Sequence, residues 1–235
     1  MVNQLILDLG LPPPTYARSD FVVAPGNREA LAWIDRWPDW PAPALALSGP
    51  PGSGKTHLGR IWAVQAGAAV IESRELDGKT VADLTALADT WPAIVIENAE
   101  RTAERALFHL YNLMRECRRS LLLISERPPA HWHIALPDLA SRLRAAPAVA
   151  VTPPDDELLG SIILKQLADR QLHAGPGVVH YLVSHMERSA DAARRVVAAL
   201  DRRALAEQRE IDRRLAADVL AEVSGGAPSQ EGGER

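Results

Sequence analysis

The stretch Leu45-Ala-Leu-Ser-Gly-Pro-Pro-Gly-Ser-Gly-Lys-Thr-His-Leu58 constrains this chain more than any other. It reads as a buried strand, then a glycine-rich loop, then the start of a helix. Within it, Gly49-Pro50-Pro51-Gly52-Ser53-Gly54-Lys55-Thr56 follows G-x-x-x-x-G-K-[ST], the spacing of a phosphate-binding loop. Gly52 and Gly54 lack a Cβ, so the backbone can curl its N–H groups around an anion. The helix that starts near Lys55 adds its unpaired N–H groups and the positive end of its dipole. Lys55 would reach the β- and γ-phosphates of a nucleotide, and the Thr56 hydroxyl would sit on Mg²⁺.

A chain of 235 residues suits one core domain and a smaller second one, and a hydrophobic content of 47% supports a real core. The net charge of −4 argues against a protein held on nucleic acid mainly by non-specific charge, so no strong direct DNA binding is expected. Cys117 is the one cysteine, which excludes an internal disulfide and fits a reducing compartment. Residues 1–9, Met-Val-Asn-Gln-Leu-Ile-Leu-Asp-Leu, lack a basic start and are too short to span a membrane, so a cytoplasmic protein is expected.

Taken in order, residues 1–11 form a short apolar segment ahead of Pro12-Pro13-Pro14. They read either as a strap on the core or as an extended docking peptide. Residues 16–27 read as a loop with an apolar centre at Phe21-Val22-Val23, and Asn27 as the N-cap of a helix reaching Trp37. Strands are expected at 44–47, 68–72, 93–97, 120–125 and 148–151. Helices are expected at 54–66, 81–88, 103–118 and 136–144. Strands that alternate with helices predict a parallel sheet covered on both faces. After Pro153-Pro154 strand signals stop, and helices are expected over 155–172, 177–186, 190–207 and 211–223. The expected organisation is therefore an N-terminal segment (1–14), an α/β core (15–153), a small all-helical lid (154–223) and a disordered tail (224–235).

A phosphate loop needs a second group of residues for metal and water. An apolar strand that ends in acid usually supplies it, often with a further acid immediately after. Here Ile94-Val-Ile-Glu97-Asn98-Ala99-Glu100 places Glu97 on the metal side, one methylene longer than the usual Asp. Asn98 falls where a catalytic carboxylate would sit. An amide can orient water but cannot take its proton at neutral pH, which predicts slow hydrolysis. Glu100 reads as a helix-start acid or as a substitute base. Ser125 ends the strand at 120–125 and could sense phosphate, since the carboxyl ends of such strands line the ligand crevice. Arg142 precedes the last strand, where it could reach a nucleotide on a neighbouring subunit. Arg194 could reach back from the lid to the phosphates. The tryptophans read as packing residues, His131 and His133 as loop residues, and the arginines at 194–214, interleaved with acids, as a solvated helical face.

Together, Phe21-Val-Val-Ala-Pro-Gly-Asn27, the loop with Thr56-His57-Leu58 after its lysine, Ile94-Val-Ile-Glu-Asn98, Ser125-Glu-Arg-Pro-Pro129 and Ser141-Arg-Leu143 resemble the AAA+ domain of the bacterial replication initiator DnaA. The similarity covers roughly residues 15–222. The segment Gln4-Leu5-Ile6-Leu7-Asp8-Leu9 is similar to motifs that dock on the replicative sliding clamp, with Gln4 in a polar pocket and Leu5, Leu7 and Leu9 toward an apolar groove. A clamp motif on a DnaA-like ATPase without a helix-turn-helix domain resembles the Hda-type regulatory inactivators, and Asn98 fits that group better than DnaA.

The resemblance implies a nucleotide-loaded protein (ADP or ATP, with Mg²⁺) that meets ATP-bound DnaA on the sliding clamp and promotes hydrolysis of the ATP on DnaA. Phe21, Val22 and Val23 would border adenine, with His57 beside them. Lys55 would hold phosphate, Thr56 and Glu97 the metal, and Arg194 this chain's own nucleotide. Arg142 would be the finger offered to DnaA, a device worth about 10³–10⁵ in rate where it is known. Homo-oligomerisation is a further possible association. Two other readings stand beside this one: an independent ATPase of the helicase-loader kind, and a DNA-binding adaptor that uses the lid arginines.

Overall fold

Most of the apolar runs of this chain are buried, and those at 44–48 and 93–97 are buried on both faces, as strands in the middle of a covered parallel sheet must be. In the computed structural model, which describes residues 16–225, these runs form β1 (Ala44–Ser48), β2 (Ala69–Glu72), β3 (Ala93–Glu97), β4 (Ser120–Ser125) and β5 (Ala148–Ala150). Every pairing is parallel, in the order β2-β3-β4-β1-β5. Successive side chains point to opposite faces. Ala44, Ala46, Ile94, Ile96, Leu121 and Leu123 pack into one layer, and Leu45, Leu47, Ala93, Val95, Leu122 and Ile124 into the other.

Helices α1 (Pro25–Asp35) and α2 (Lys55–Ala66) cover the second layer. Helices α3 (Val81–Thr90), α4 (Glu104–Glu116) and α5 (Pro137–Ala145) cover the first. Gly59 lets α2 lie close on the sheet, because a Cβ there would meet Ile124 Cδ1 at 2.5 Å. Beside it Trp62 is fully buried, stacked on Trp40 at 5.1 Å and edge-on to Trp37 at 6.0 Å. Trp40 Nε1 donates to the Trp33 carbonyl and Trp37 Nε1 to Ser120 Oγ, so these rings pack the interior as the sequence suggests.

Helices α6 (Asp156–Asp169), α7 (Pro176–His185), α8 (Ala190–Glu207) and α9 (Arg213–Gly225) enclose a separate core of Leu159, Ile163, Leu182, Val196, Val197, Leu215 and Val219. Asp155 and Ser189 cap α6 and α8 by accepting from the N–H groups of Leu158 and Ala192. The arginine face of α8 and its following turn is tied up internally, through Arg194–Asp191, Arg203–Glu207 and Arg209–Asp212.

Most element ends fall within a few residues of expectation. One assignment changes. Asn27 is not an N-cap, because α1 begins two residues earlier at Pro25, whose fixed φ suits a helix start. Asn27 is the third residue of the helix, and its Oδ1 accepts from Ala24 N at 2.9 Å while its Nδ2 donates to the Val22 carbonyl at 3.0 Å. It still ties down the helix start, from inside. Helix α9 runs on to Gly225, so Ser224 and Gly225 are helical. Gln4, Leu5, Leu7, Leu9 and residues 226–235 lie outside the described residues.

Trp62→Ala should lower stability by about 3–5 kcal/mol, the range for emptying a buried tryptophan site. Chemical denaturation monitored by circular dichroism reads this directly, and a midpoint unchanged from the parent would contradict the packing role.

Candidate functional site

The loop Gly49–Gly54 leaves the C-terminal end of β1, between β4 and β5. Gly49 N donates to the Ser125 carbonyl at 3.2 Å, which stitches the loop to the neighbouring strand end. Lys55 is 9% exposed, and its Nζ donates to the carbonyls of Gly49 at 2.6 Å and Pro50 at 2.8 Å. Burial lowers its pKa, against the opposing field of Glu126, Glu97 and Glu100. The first N–H groups of α2 have no acceptor within the helix.

Gly52 explains how the helical unit meets the loop. Its φ is +73°, and a Cβ there would lie 2.4 Å from Ser189 Cβ, at the N-cap of α8. Ala190 N donates to the Gly52 carbonyl at 3.4 Å. A second tie crosses at Lys165 on α6, which reaches Asp20 and Asp169 at 3.2 Å each.

Between these ties lies a cavity of about 400 Å³, within the range of small-ligand sites. Gly52, Gly54, Lys55 and Thr56 form its floor. Tyr16, Phe21, Val22 and His57 form an aromatic side, where His57 meets both rings edge-on at 5.5 and 5.2 Å. Burial lowers the pKa of His57, which favours the neutral ring. The helical unit contributes Ile162, Gln166, Asp169 and Arg170 from α6 and its end, and Ala190, Asp191 and Arg194 from α8. Asp191 holds Arg194 at 2.7 Å.

Glu97 is 8% exposed, and its Oε2 accepts from Thr56 Oγ1 at 3.4 Å. Its Oε1 and the hydroxyl of Ser53 are buried with no hydrogen-bond partner among the described residues. Burial raises the Glu97 pKa, and the Glu72 carboxylate raises it further. A hydroxyl, a buried carboxylate with a spare oxygen and a phosphate loop suit a divalent cation whose other ligands are phosphate oxygens and water. Among the described residues no cluster of three His, Cys, Asp or Glu could hold a metal ion.

Of the residues singled out by sequence, the cavity gathers Phe21, Val22, Gly52, Gly54, Lys55, Thr56, His57 and Arg194. Gly49 and Pro50 act from behind, through the carbonyls that hold Lys55, while Pro51 is exposed and Ser53 is buried in the turn. Three expectations need correction. Val23 does not line the cavity: it is 45% exposed, because extended backbone before α1 turns it opposite to Val22. The hydroxyl of Ser125 donates to the Arg127 carbonyl at 2.8 Å, so its proton is committed to a turn rather than to a phosphate. Glu100 is half-buried rather than solvated: its Oε1 accepts from Glu126 N at 2.9 Å, and its Oε2 is buried with no hydrogen-bond partner among the described residues.

Asn98 donates from Nδ2 to Glu72 Oε2 at 3.0 Å. Arg142 lies outside the cavity, its guanidinium over the rings of Phe108 (5.1 Å) and Tyr111 (5.9 Å) and its Nη1 buried without a partner among the described residues. Sequence reasoning missed Gln166, Asp169 and Arg170, for which no local signal exists. It also missed Glu72, although Ile71-Glu72 repeats the Ile96-Glu97 ending of the neighbouring strand.

Two variants test this geometry. Gly52→Ala should destabilise the protein by about 1–2 kcal/mol from its left-handed backbone alone, and further through Ser189. Gly78→Ala, with the same left-handed backbone (φ +71°) but nothing within 4 Å of its Cβ, serves as the control, and equal losses in melting temperature would refute the contact. Glu97→Gln tests the buried charge. A carboxyl whose folded pKa lies above its ordinary 4.5 loses folding stability as pH rises from that value through the raised one. Metal-free Glu97→Gln should therefore melt higher than the parent at pH 8, and the gap should close on acidification. A gap that is constant with pH would count against it.

No protein-family model matches the chain. Solved structures do resemble it. Domain III of the Thermotoga maritima replication initiation protein DnaA superimposes with a TM-score of 0.78 at 21% identity, over 91% of this chain and 98% of that one. AMPPCP-bound DnaA from Aquifex aeolicus gives 0.68 at 17% identity, over 84% and 71%. The RuvB Holliday junction branch migration motor of Thermotoga maritima gives 0.69 at 16% identity, over 89% and 72%. What the strand order and the helical unit build is a DnaA-like AAA+ fold.

Proposed function

We propose that the cavity binds an adenine nucleotide, ADP or ATP with Mg²⁺, and that the chain is a DnaA-like AAA+ regulator of replication initiation. The observation that carries this reading is the convergence of Lys55, Thr56, Phe21, His57 and Arg194 on one cavity between the α/β core and the helical unit. The phosphates would lie along the loop and the start of α2, with Lys55 exchanging its carbonyl partners for phosphate oxygens. Thr56 and Glu97 would hold the cation, which neutralises phosphate charge. Phe21, Val22 and the neutral His57 would receive the base, and Arg194, steadied by Asp191, would complete the phosphate end. The solved DnaA of Aquifex aeolicus is bound to the ATP analogue AMPPCP, which supports this reading. The domains would be the core at 15–153 and the lid at 154–223.

The finer reading is regulatory inactivation. Residues Gln4, Leu5, Leu7 and Leu9 would dock on the sliding clamp, and Arg142 would be offered to the ATP on DnaA. Its position supports this, since it stands clear of the chain's own cavity on an aromatic shelf, with one buried nitrogen unsatisfied. Little intrinsic hydrolysis is expected, because residue 98 is an amide and cannot take a proton from water at neutral pH. The competing reading is an independent ATPase, which the Thr56–Glu97 pair would equally serve. Steady-state turnover without DnaA separates the two.

Arg142→Ala should leave nucleotide and clamp binding intact while lowering the stimulated hydrolysis on DnaA by about 10³-fold or more. Stimulation equal to the parent would remove Arg142 from this role. Gln4→Ala with Leu7→Ala should keep nucleotide affinity and lose retention on immobilised clamp; undiminished retention would rule out docking through this segment.

A further inference from the structure

The cavity has two ends, and the helical unit meets each with a different helix. At the phosphate end α8 starts on the loop, with Ser189 against Gly52 and with Asp191 and Arg194 lining the cavity. At the other end α6 leans on the segment before Phe21, where Lys165 Nζ reaches Asp20 at 3.2 Å. The residues of α6 around that tie, Ile162, Gln166 and Asp169, therefore line the same end of the cavity as Phe21 and Val22.

Arg170, which ends α6 and also lines the cavity, fixes how Gln166 is turned. Its Nη1 donates to Gln166 Oε1 at 2.8 Å and to the Gln166 carbonyl at 3.1 Å. A guanidinium has donors only, so the amide must give its oxygen to Arg170 and keep its Nε2 donor for the cavity. Asp169 lies three residues along the same helix, on the same face, and its carboxylate oxygens accept. Lys165 Nζ donates to both of those oxygens, at 3.3 and 3.2 Å, which steadies the carboxylate. This wall thus carries a fixed donor beside a fixed acceptor.

We infer that Gln166 and Asp169 select the base, admitting a 6-aminopurine, and that Arg170 is the positioning residue that turns Gln166 for this. Adenine shows a complementary pair on both of its hydrogen-bonding edges: N1 or N7 accepts, and the 6-amino group donates. Hypoxanthine has nearly the same shape, but a carbonyl oxygen replaces the amino group. That oxygen would face the Asp169 carboxylate, acceptor against acceptor, with no proton between them. Phosphate contacts cannot supply this choice, because every nucleotide has phosphates. The inference rests on the nucleotide-binding reading given above and adds to it how the base is recognised.

ADP and inosine diphosphate differ only in the base, so calorimetric titration of the full chain with each separates base selection from the grip of Lys55 and Arg194. The parent should bind ADP about 10–100-fold more tightly than inosine diphosphate, the scale of one two-point base contact. Asp169→Asn, which can donate to the carbonyl oxygen, should cut that preference about tenfold. Gln166→Met, which keeps the length without a donor, should lower ADP affinity about tenfold. Arg170→Met should lower it less, because the freed amide can still turn its nitrogen inward, and Arg170→Lys, which keeps a donor, should restore it. Melting temperatures without nucleotide check that each variant folds.

A parent that binds the two nucleotides equally would overturn the base-selecting role, and so would a Gln166→Met variant with parental ADP affinity. Parental ADP affinity in Arg170→Met would overturn the positioning role of Arg170. Failure of the parent to bind either nucleotide would instead defeat the nucleotide-binding reading, and this inference with it.

Discussion

Everything around the cavity is arranged about one buried cation. An ammonium taken out of water costs several kcal/mol unless acceptors surround it, and Lys55 finds two of them in the loop that precedes it. The carbonyls of Gly49 and Pro50 can converge on Nζ because the chain doubles back between β1 and α2. The lysine thus shapes the loop as much as the loop positions the lysine. The acids at the neighbouring strand ends, Glu97, Glu100 and Glu126, supply a field that partly offsets the burial. An arriving phosphate would take over the same ammonium, so the loop is pre-formed around the charge that its ligand needs.

The position of β1 multiplies this effect. Lying between β4 and β5, it delivers the loop to the middle of the sheet's C-terminal edge, where β3 and β4 end beside it. The helical unit then closes from above through Ser189 against Gly52 and Lys165 against Asp20. These contacts differ in kind. The salt bridge is partly solvated and worth little by itself. The backbone contact at Gly52 is steric, so a shift of the loop on taking up phosphate must be felt at the start of α8. A nucleotide held mainly to set the arrangement of two rigid parts is consistent with a site that carries an amide at residue 98, directly after Glu97.

Much of this site was legible in residue order. The strand, glycine-rich loop and helix of residues 45–58 are contiguous, so spacing alone assigns Lys55 and Thr56. Glu97 follows from a short apolar run that ends in acid, and Trp40 and Trp62 pack in the interior as expected, whereas Trp91 is exposed. Other roles resisted. Val23 looked equivalent to Val22 because a run of three apolar residues does not show which one the next helix turns away. Ser125 and Glu100 stand at or just beyond strand ends, but the Ser125 hydroxyl and one oxygen of Glu100 bond the nearby backbone of Arg127 and Glu126. Arg142 was placed by resemblance, whereas its seat on Phe108 and Tyr111 comes from the packing of α5 against α4.

By itself, then, the amino-acid order determined the α/β alternation, the phosphate loop and the identity of the groups that could touch a phosphate or a metal. Those features depend on periodicity and spacing within a single element. Tertiary structure alone decided that Ser189 rests on Gly52, that α6 supplies Gln166, Asp169 and Arg170 to the cavity, and that Asn98 answers to Glu72. These meetings join elements far apart in the chain, and their partners are set by which hydrophobic faces must be buried together. No local pattern encodes that choice, because burial is satisfied by the whole packed molecule and not by any one of its segments.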